Sequence, residues 1–419
     1  MLLIYSMLVA ADWVQGPYMY RLYQAYGFTL AQNGQLFIAG FASSMVFGTV
    51  AGTLADRFGR KRGTILYTLV YGLSCLTKHA RDFPTLMVGR ILGGLATSLL
   101  FTVPESWVVA EHGRRRLSDS TLTALFADMS VINGLTAIGA GWLAEGAVAA
   151  AQHPVGAFDL SLVLLILGGL AVSLCWSENF GDQTVGVVGH LWEGMATVTS
   201  SPQLSALAAV QSIFEAAMYV FVFLYTPALQ RVAGRDDLPF GTLFACLMVA
   251  VAMGGGLAKL LLSYGKWTAS RLLVVVMLGA AVACAGLALA SSTHQFLGAM
   301  LAFEVLVGMY WPCISTVRSR LIPEALRATI LNLFRVPLNV FVCTALLGID
   351  QWPESVTLGL CGAALMGGES PANGMFMRGI MPTMMGRLSG QDWSRLAPSD
   401  CVVQSFGLFV CAHALLPVC

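Results

Sequence analysis

Gly52-Thr-Leu-Ala-Asp56-Arg57-Phe-Gly59-Arg60-Lys61-Arg62 joins two apolar runs, residues 34–55 and 63–78, and its reading decides the fold. Glycines permit a tight turn and close helix contact. Asp56 carries the charge that suits the positive N-terminal end of a neighbouring helix. Arg57, Arg60, Lys61 and Arg62 suit a membrane surface. The plainer alternative is an ordinary basic loop, and the turn by itself leaves both open.

The sequence around the turn settles the solvent. The 419 residues are 57% hydrophobic and 11% charged, whereas a soluble chain carries about 25% charged residues. So few charges cannot cover a water-facing surface, so the chain is expected to be an all-α, polytopic membrane protein in a lipid bilayer. Apolar runs recur near 1–20, 34–55, 63–78, 84–109, 121–149, 158–176, 204–229, 240–264, 270–291, 295–317 and 329–349. Each is near the roughly 20 residues that a crossing needs. The 44 glycines fit helices that approach closely.

The longest polar connection, about 177–203, separates the sixth run from the seventh. Six spans, a linker and a second set are the layout of two fused halves. The expected domains are an N-terminal six-helix half over 1–176 and a cytoplasmic linker over 177–203. The C-terminal half then holds spans seven to eleven over 204–349, and an atypical region covers 350–419. In that last region the apolar run from Val356 stops at Gly368, too short to cross a bilayer comfortably. A second apolar run follows at 401–419. Either it replaces the last helix, or this end comes from an alternative transcript or a mistaken gene model, which is the favoured reading.

Basic residues set the orientation. Arg57, Arg60, Lys61, Arg62, Arg114, Arg115, Arg116, Lys266, Arg271, Arg318, Arg320 and Arg327 fall in one set of loops. The opposite set holds only Arg21, Lys78, Arg81, Arg231 and Arg235. The richer side is expected to be cytoplasmic, together with the N-terminus and the central linker. The first run has no basic flank and no small-residue cleavage site, so it reads as a retained helix.

Several function classes recede. The net charge of +1 suggests no nucleic-acid partner. The ten cysteines form no C-x-x-C pair and the six histidines are scattered, so no metal or cofactor is expected. An intramembrane hydrolase would want a paired nucleophile and base at depth, and none is visible. A membrane sensor would more naturally carry a large soluble domain, for which the linker has no room. A transporter, not an enzyme, is the expectation.

Ionisable residues inside spans are functional-site hypotheses by default. Here they are Asp12, Glu105, Asp128, Glu145, Glu215, Lys259, Glu304 and Arg335. Arg335 lies beside the helix-kinking Pro337, and its guanidinium offers a rigid fork of donors for an oxyanion. An interhelical ion pair with Glu215 or Glu304 is the competing explanation. Lys259 reads more naturally as snorkelling to the surface. Gln15, Tyr18, Gln211, Tyr219, Tyr225 and Tyr310 add neutral donors, or simply pack. Pro17, Pro104, Pro227, Pro312 and Pro337 mark expected kinks.

The Gly52–Arg62 turn resembles motif A of the major facilitator superfamily, and Arg90-Ile-Leu-Gly93-Gly94-Leu-Ala96 is similar to its motif B. Longer strings are more distinctive. They are Ala11-Asp12-Trp13-Val14-Gln15-Gly16-Pro17-Tyr18; Pro104-Glu105-Ser106-Trp107 with Glu111-His112 beyond; and Gln211 to Glu215 with Phe221 to Pro227. The later ones are Glu304 with Gly308-Met-Tyr310-Trp311-Pro312, Ile322-Pro323-Glu324, and Leu331-Asn332-Leu-Phe334-Arg335-Val336-Pro337-Leu338. Together they resemble the eukaryotic molybdate-anion transporter family, the domain-containing protein 5 branch of the superfamily, from about residue 8 to 345. Members usually carry a further helix before the Ala-Asp-Trp segment, which here lies close to Met1.

The resemblance implies a two-half facilitator fold and secondary transport of molybdate by alternating access, with proton coupling as an option. Another small solute, such as a sugar, a drug or a different oxyanion, is the alternative. It also implies a monomer, in the plasma membrane. Spans one, four, seven and ten line the cavity of this superfamily, which makes Asp12, Glu105, Glu215 and Glu304 the expected coupling carboxylates. Static pairing with Arg90, Lys259 or Arg335 is the bland alternative. Arg335, Gln15, Gln211 and Tyr225 are expected to bind substrate. Gly52, Asp56, Arg57, Gly59, Arg60 and Arg90 are expected to govern conformational switching.

Overall fold

A computed structural model describes residues 1–48, 50–116, 118–181, 187–264, 267–323 and 326–367, apart from a few side chains. The expected second apolar run at 401–419 lies outside them. The described residues form helices and no strand. The helices are α1 (Leu2–Trp13), α2 (Met19–Ala25), α3 (Leu30–Gly48), α4 (Ala51–Phe58), α5 (Arg60–Thr77), α6 (Phe83–Leu100), α7 (Val103–Arg114) and α8 (Asp119–Ala151). There follow α9 (Gly156–Cys175), α10 (Val187–Ser200), α11 (Pro202–Ala233), α12 (Phe240–Tyr264), α13 (Ala269–Leu289), α14 (Thr293–Leu321), α15 (Arg327–Leu347) and α16 (Glu354–Gly367).

All eleven apolar runs become helices, and two prolines interrupt them. The first run is split into α1 and α2 by a 3-10 turn over Gly16–Tyr18 that contains Pro17. The fourth is split into α6 and α7 just before Pro104, which sits in the first turn of α7. Pro227, Pro312 and Pro337 instead lie inside continuous helices, so these three do not break the element that carries them. The linker is not merely polar connection either, since α10 forms within it. Among the described residues, eight helical stretches, from Phe83–Arg114 to Thr329–Leu347, are each long and apolar enough to cross a membrane. The run after Asp350 becomes α16, whose 14 residues span only about 21 Å, against a hydrocarbon core of about 30 Å.

Helix starts follow the sequence. Asp82 caps α6 by accepting the Thr85 backbone N–H at 2.9 Å, and that hydrogen bond to the charged form holds its carboxyl below the usual aspartate range. Ser201, Thr268 and Ser292 cap α11, α13 and α14 in the same way. In the loop before α9, burial together with Arg81 and His79 holds the His153 imidazole below its ordinary value, and its ring stacks on Tyr26.

The chain divides into two compact units. The first comprises Met1–Val187 together with Arg235–Val249. Its helices meet through small residues, and α3 packs along α6. The start of α12 belongs to this unit and is held by Glu145. That carboxylate accepts the N–H of Gly241 at 2.7 Å and of Thr242 at 3.2 Å, and the Tyr18 hydroxyl at 2.9 Å. A carboxylate on the first N–H groups of a helix satisfies orphan donors and complements the dipole. Glu145 therefore has a structural task.

The second unit comprises Val188–Gly234 and the chain from Ala250 onward. Within it α12 and α14 cross backbone to backbone: a Cβ at Gly308 would strike the Val251 carbonyl, with the Gly255 N–H only 3.0 Å away. Rigid backbone cannot yield to a side chain there. Gly308→Leu is expected to destabilise the protein by about 3 kcal/mol or more, beyond the usual cost of overpacking. A lowered melting temperature of the purified protein checks this, and an unchanged melt would refute the crossing.

Candidate functional site

Each unit carries its own cluster of buried and half-buried ionisable side chains. In the first, Tyr71 on α5 donates its hydroxyl to Asp12 Oδ1 on α1 at 2.6 Å, and Arg90 on α6 is the cationic neighbour of that carboxylate. Arg90 is fixed by its own Nε–H, which reaches the Leu36 carbonyl at 3.0 Å, and by the Phe37 ring, 4.7 Å below the guanidinium. Gly40 makes the space, since a Cβ there would lie 2.5 Å from the guanidinium nitrogen. Lys78, placed by sequence in an outer loop, is fully buried. It continues the buried face Tyr67, Tyr71, Ser74 and Cys75 of α5, with its Nζ 5.8 Å from the centre of the Tyr23 ring.

Gln15 is buried, but its amide donates to the Ala11 carbonyl at 3.1 Å and to Ser161 at 2.9 Å on α9. Its Oε1 is left without a partner, so what Gln15 has free is an acceptor, not a donor. Glu105 opens α7 and is exposed. Asp128 and Lys259 are exposed as well.

The second unit centres on Glu215 of α11. Its Oε1 accepts the Tyr310 hydroxyl at 3.0 Å and Arg318 Nη2 at 2.9 Å, both from α14. Arg318 Nε also donates to Gln211 Oε1 at 2.9 Å, one turn before Glu215. Phe214 stacks on Tyr310 at 4.0 Å and stiffens the arrangement. Arg335 is half-buried on α15 and within electrostatic reach of Glu215. The ion pair foreseen for Arg335 is thus made by Arg318, which had been assigned to a cytoplasmic loop. Glu304 is 4% exposed, and no hydrogen bond or ion pair reaches it among the described residues. It acts electrostatically on the buried Tyr225.

The motif turn forms a third feature, at the end of the first unit. Gly59 takes φ +106°, a conformation that L side chains avoid, between α4 and α5. Asp56 pairs with Arg60 at 2.7 Å. Glu178, just past α9, accepts the Lys61 N–H at 2.8 Å and the Arg62 N–H at 3.2 Å, so it is Glu178 that seats a carboxylate on the α5 N-terminus. Backbone bonds Arg60 N–H to Asn179 O and Gly181 N–H to Asp56 O, each 3.0 Å, complete the clasp. Trp107 stacks on Trp176 at 4.0 Å and donates to the Ser177 carbonyl at 2.8 Å, tying the same segment to α7. Arg57 is exposed and Gly52 lies within α4. Glu178→Gln is expected to cost about 1 kcal/mol through the lost charge at a helix N-terminus, read as a lower melting temperature that Asn179→Ala, which keeps the carboxylate, does not reproduce in full.

With this geometry in hand, relatives place the chain. A molybdate-anion transporter of Xenopus laevis is 34% identical over 355 residues, covering 81% of this chain and 76% of the relative. The chain belongs to the molybdate-anion transporter family. A second member, from Danio rerio, is 32% identical over 385 residues, covering 82% of this chain and 77% of its own length. A broader family model, MFS_5, described as sugar transporters with 12 TM, matches residues 1–293. Solved structures agree on the fold alone. A nucleoside transporter, NupG, superposes with a TM-score of 0.72 at 12% identity, covering 90% of this chain and 98% of that one. A D-xylose-proton symporter gives 0.67 at 12% identity, over 87% and 95%. This family member therefore has the major facilitator fold and is a multi-pass membrane protein.

Proposed function

We propose that the chain is a secondary transporter that carries molybdate into the cell across the plasma membrane, as a monomer, by alternating access coupled to protons. Identity of 34% to a molybdate-anion transporter over most of both chains carries the substrate. A fully buried lysine, Lys78, and half-buried arginines, Arg90 in the same unit and Arg318 in the other, support an anionic cargo, because charges within membrane spans are costly and kept for function. The same cations weigh against a neutral sugar, the reading that the description of the broader family model favours.

In this reading Arg335, Gln211 and Tyr225 of the second unit offer donors to the oxyanion, whereas Gln15, whose amide N–H groups are engaged by Ala11 and Ser161, has no donor left for it. Asp12, Glu105, Glu215 and Glu304 are the coupling carboxylates. The Asp56–Arg60 turn, with Gly52, Arg57, Gly59 and Arg90, is the conformational element.

The test is uptake of labelled molybdate by cells expressing the chain, with and without excess sulfate or tungstate. Accumulation above control cells that unlabelled molybdate suppresses is the expected result. No accumulation by protein present at the plasma membrane would overturn the assignment. Stronger suppression by sulfate than by molybdate would give the substrate as sulfate.

A further inference from the structure

The first unit holds a group of buried polar side chains that its own hydrogen bonds leave unused. The Lys78 ammonium, the Tyr23 hydroxyl and both amide atoms of Asn33 have no hydrogen-bond partner among the described residues. All three residues are at most 1% exposed. Buried polar groups are nearly always satisfied, so each such gap asks for an explanation. Three in one neighbourhood ask for a common one.

They converge on one place. Lys78 Nζ lies 5.8 Å from the centre of the Tyr23 ring, and the Tyr23 and Phe37 rings meet edge to face with centres 6.4 Å apart. Arg90 sits over that same Phe37 ring, acts electrostatically on Lys78, and approaches the Tyr23 phenol without hydrogen-bond geometry. Asn33 lies one turn before Phe37 on the buried face of α3. The two cations, Lys78 and Arg90, have no free carboxylate between them: Tyr71 already engages Asp12, and Asp159 pairs with His79. Two like charges in mutual reach inside a membrane protein are destabilising unless an anion sits between them.

We infer that Lys78, Arg90, Tyr23 and Asn33 form a binding site for a small inorganic oxyanion within the first unit. An ammonium, a guanidinium, a phenol and an amide supply donors from four helices or their ends, which suits a tetrahedral oxyanion. α2 contributes Tyr23, and Tyr26 just past its end donates its hydroxyl to the Lys78 carbonyl. This site lies within the first unit, and its cargo rests on the oxyanion reading above.

The test uses the purified full chain in detergent, with sodium molybdate, sodium sulfate or sodium chloride as probe, and follows thermal unfolding. A ligand that binds the native state raises the melting temperature with concentration. Molybdate and sulfate are expected to stabilise the wild type, and chloride much less. Lys78→Met keeps the length of the side chain without its charge, and is expected to fold at least as well as the wild type. It should raise the apparent Kd for molybdate by roughly tenfold or more, as expected when a hydrogen bond to a charged group is lost. Arg320→Ala, a change at an exposed arginine outside this group, should leave this oxyanion stabilisation in place.

Equal stabilisation of Lys78→Met and wild type by molybdate overturns the site, as does stabilisation of the wild type by none of the three salts, or by chloride alone. A wild type that binds molybdate through Lys78 in detergent yet transports none in cells keeps the site and removes the transport reading. Wild-type uptake that Lys78→Met leaves unchanged in apparent KM does the reverse.

Discussion

Arg318→Ala is expected to reduce molybdate uptake by at least about tenfold, a loss that reads directly as transition-state or binding free energy, whereas Arg320→Ala should change it little. The two arginines are two residues apart and differ in helical phase. Arg318 continues the buried stripe of Tyr310, Ile314 and Val317, while Arg320 faces out. Removing the Arg318 guanidinium strips Glu215 of its ion pair and Gln211 of its donor at once. Glu215 would keep the Tyr310 hydroxyl and the electrostatic influence of Arg335, but no ion pair. Breaking one partner of a buried pair costs about 3–5 kcal/mol, because the remaining charge is left uncompensated.

Loss of uptake through misfolding and loss through the site are separable. Glu215→Gln removes the orphaned charge, so the double variant Arg318→Ala with Glu215→Gln should recover most of the thermal stability, with a coupling energy of about 1–3 kcal/mol. If the cluster serves transport, the recovered protein still fails to accumulate molybdate. Recovery of uptake together with stability would make the cluster purely structural, and normal uptake by Arg318→Ala alone would remove it from the mechanism.

The sequence carried the fold because a bilayer enforces length and composition on every span. Eleven apolar runs became helices, and the Gly16–Pro17 and Pro104 punctuation appears as real breaks. The site was less legible for a specific reason. Counting Lys78 and Arg318 as loop charges used their position near span ends, whereas their burial is decided by helical phase. Tyr67, Tyr71, Ser74, Cys75 and Lys78 recur at three- and four-residue intervals, and so do Tyr310, Ile314 and Arg318. That periodicity was present in the sequence and would have placed both cations inward. Glu178 left no such signal. It lies more than a hundred residues from the turn it clasps, and only the folded chain brings it onto the N–H groups of Lys61 and Arg62. The inward donor of Gln15 was likewise illegible, because its use depends on Ser161 of a distant helix.

Glu304→Gln is expected to abolish uphill accumulation of molybdate while sparing exchange of labelled for unlabelled molybdate across the membrane. Glu304 is 4% exposed on α14, acts electrostatically on Tyr225, and has no ion-pair partner among the described residues. Glu215, on a neighbouring helix, has Arg318. An isolated charge in an apolar interior is so costly that proton gain or loss becomes the cheapest response of such a group to water or cargo. The glutamine is isosteric and neutral, so it removes the titration without opening a cavity, and the melting temperature should hold or rise. A steep dependence of uptake on outside pH in the wild type should flatten in the variant. Accumulation by Glu304→Gln with the wild-type pH profile would exclude this carboxyl from coupling and leave Asp12, Glu105 and Glu215 to carry it. Loss of exchange together with accumulation would place Glu304 instead in binding or in the conformational step.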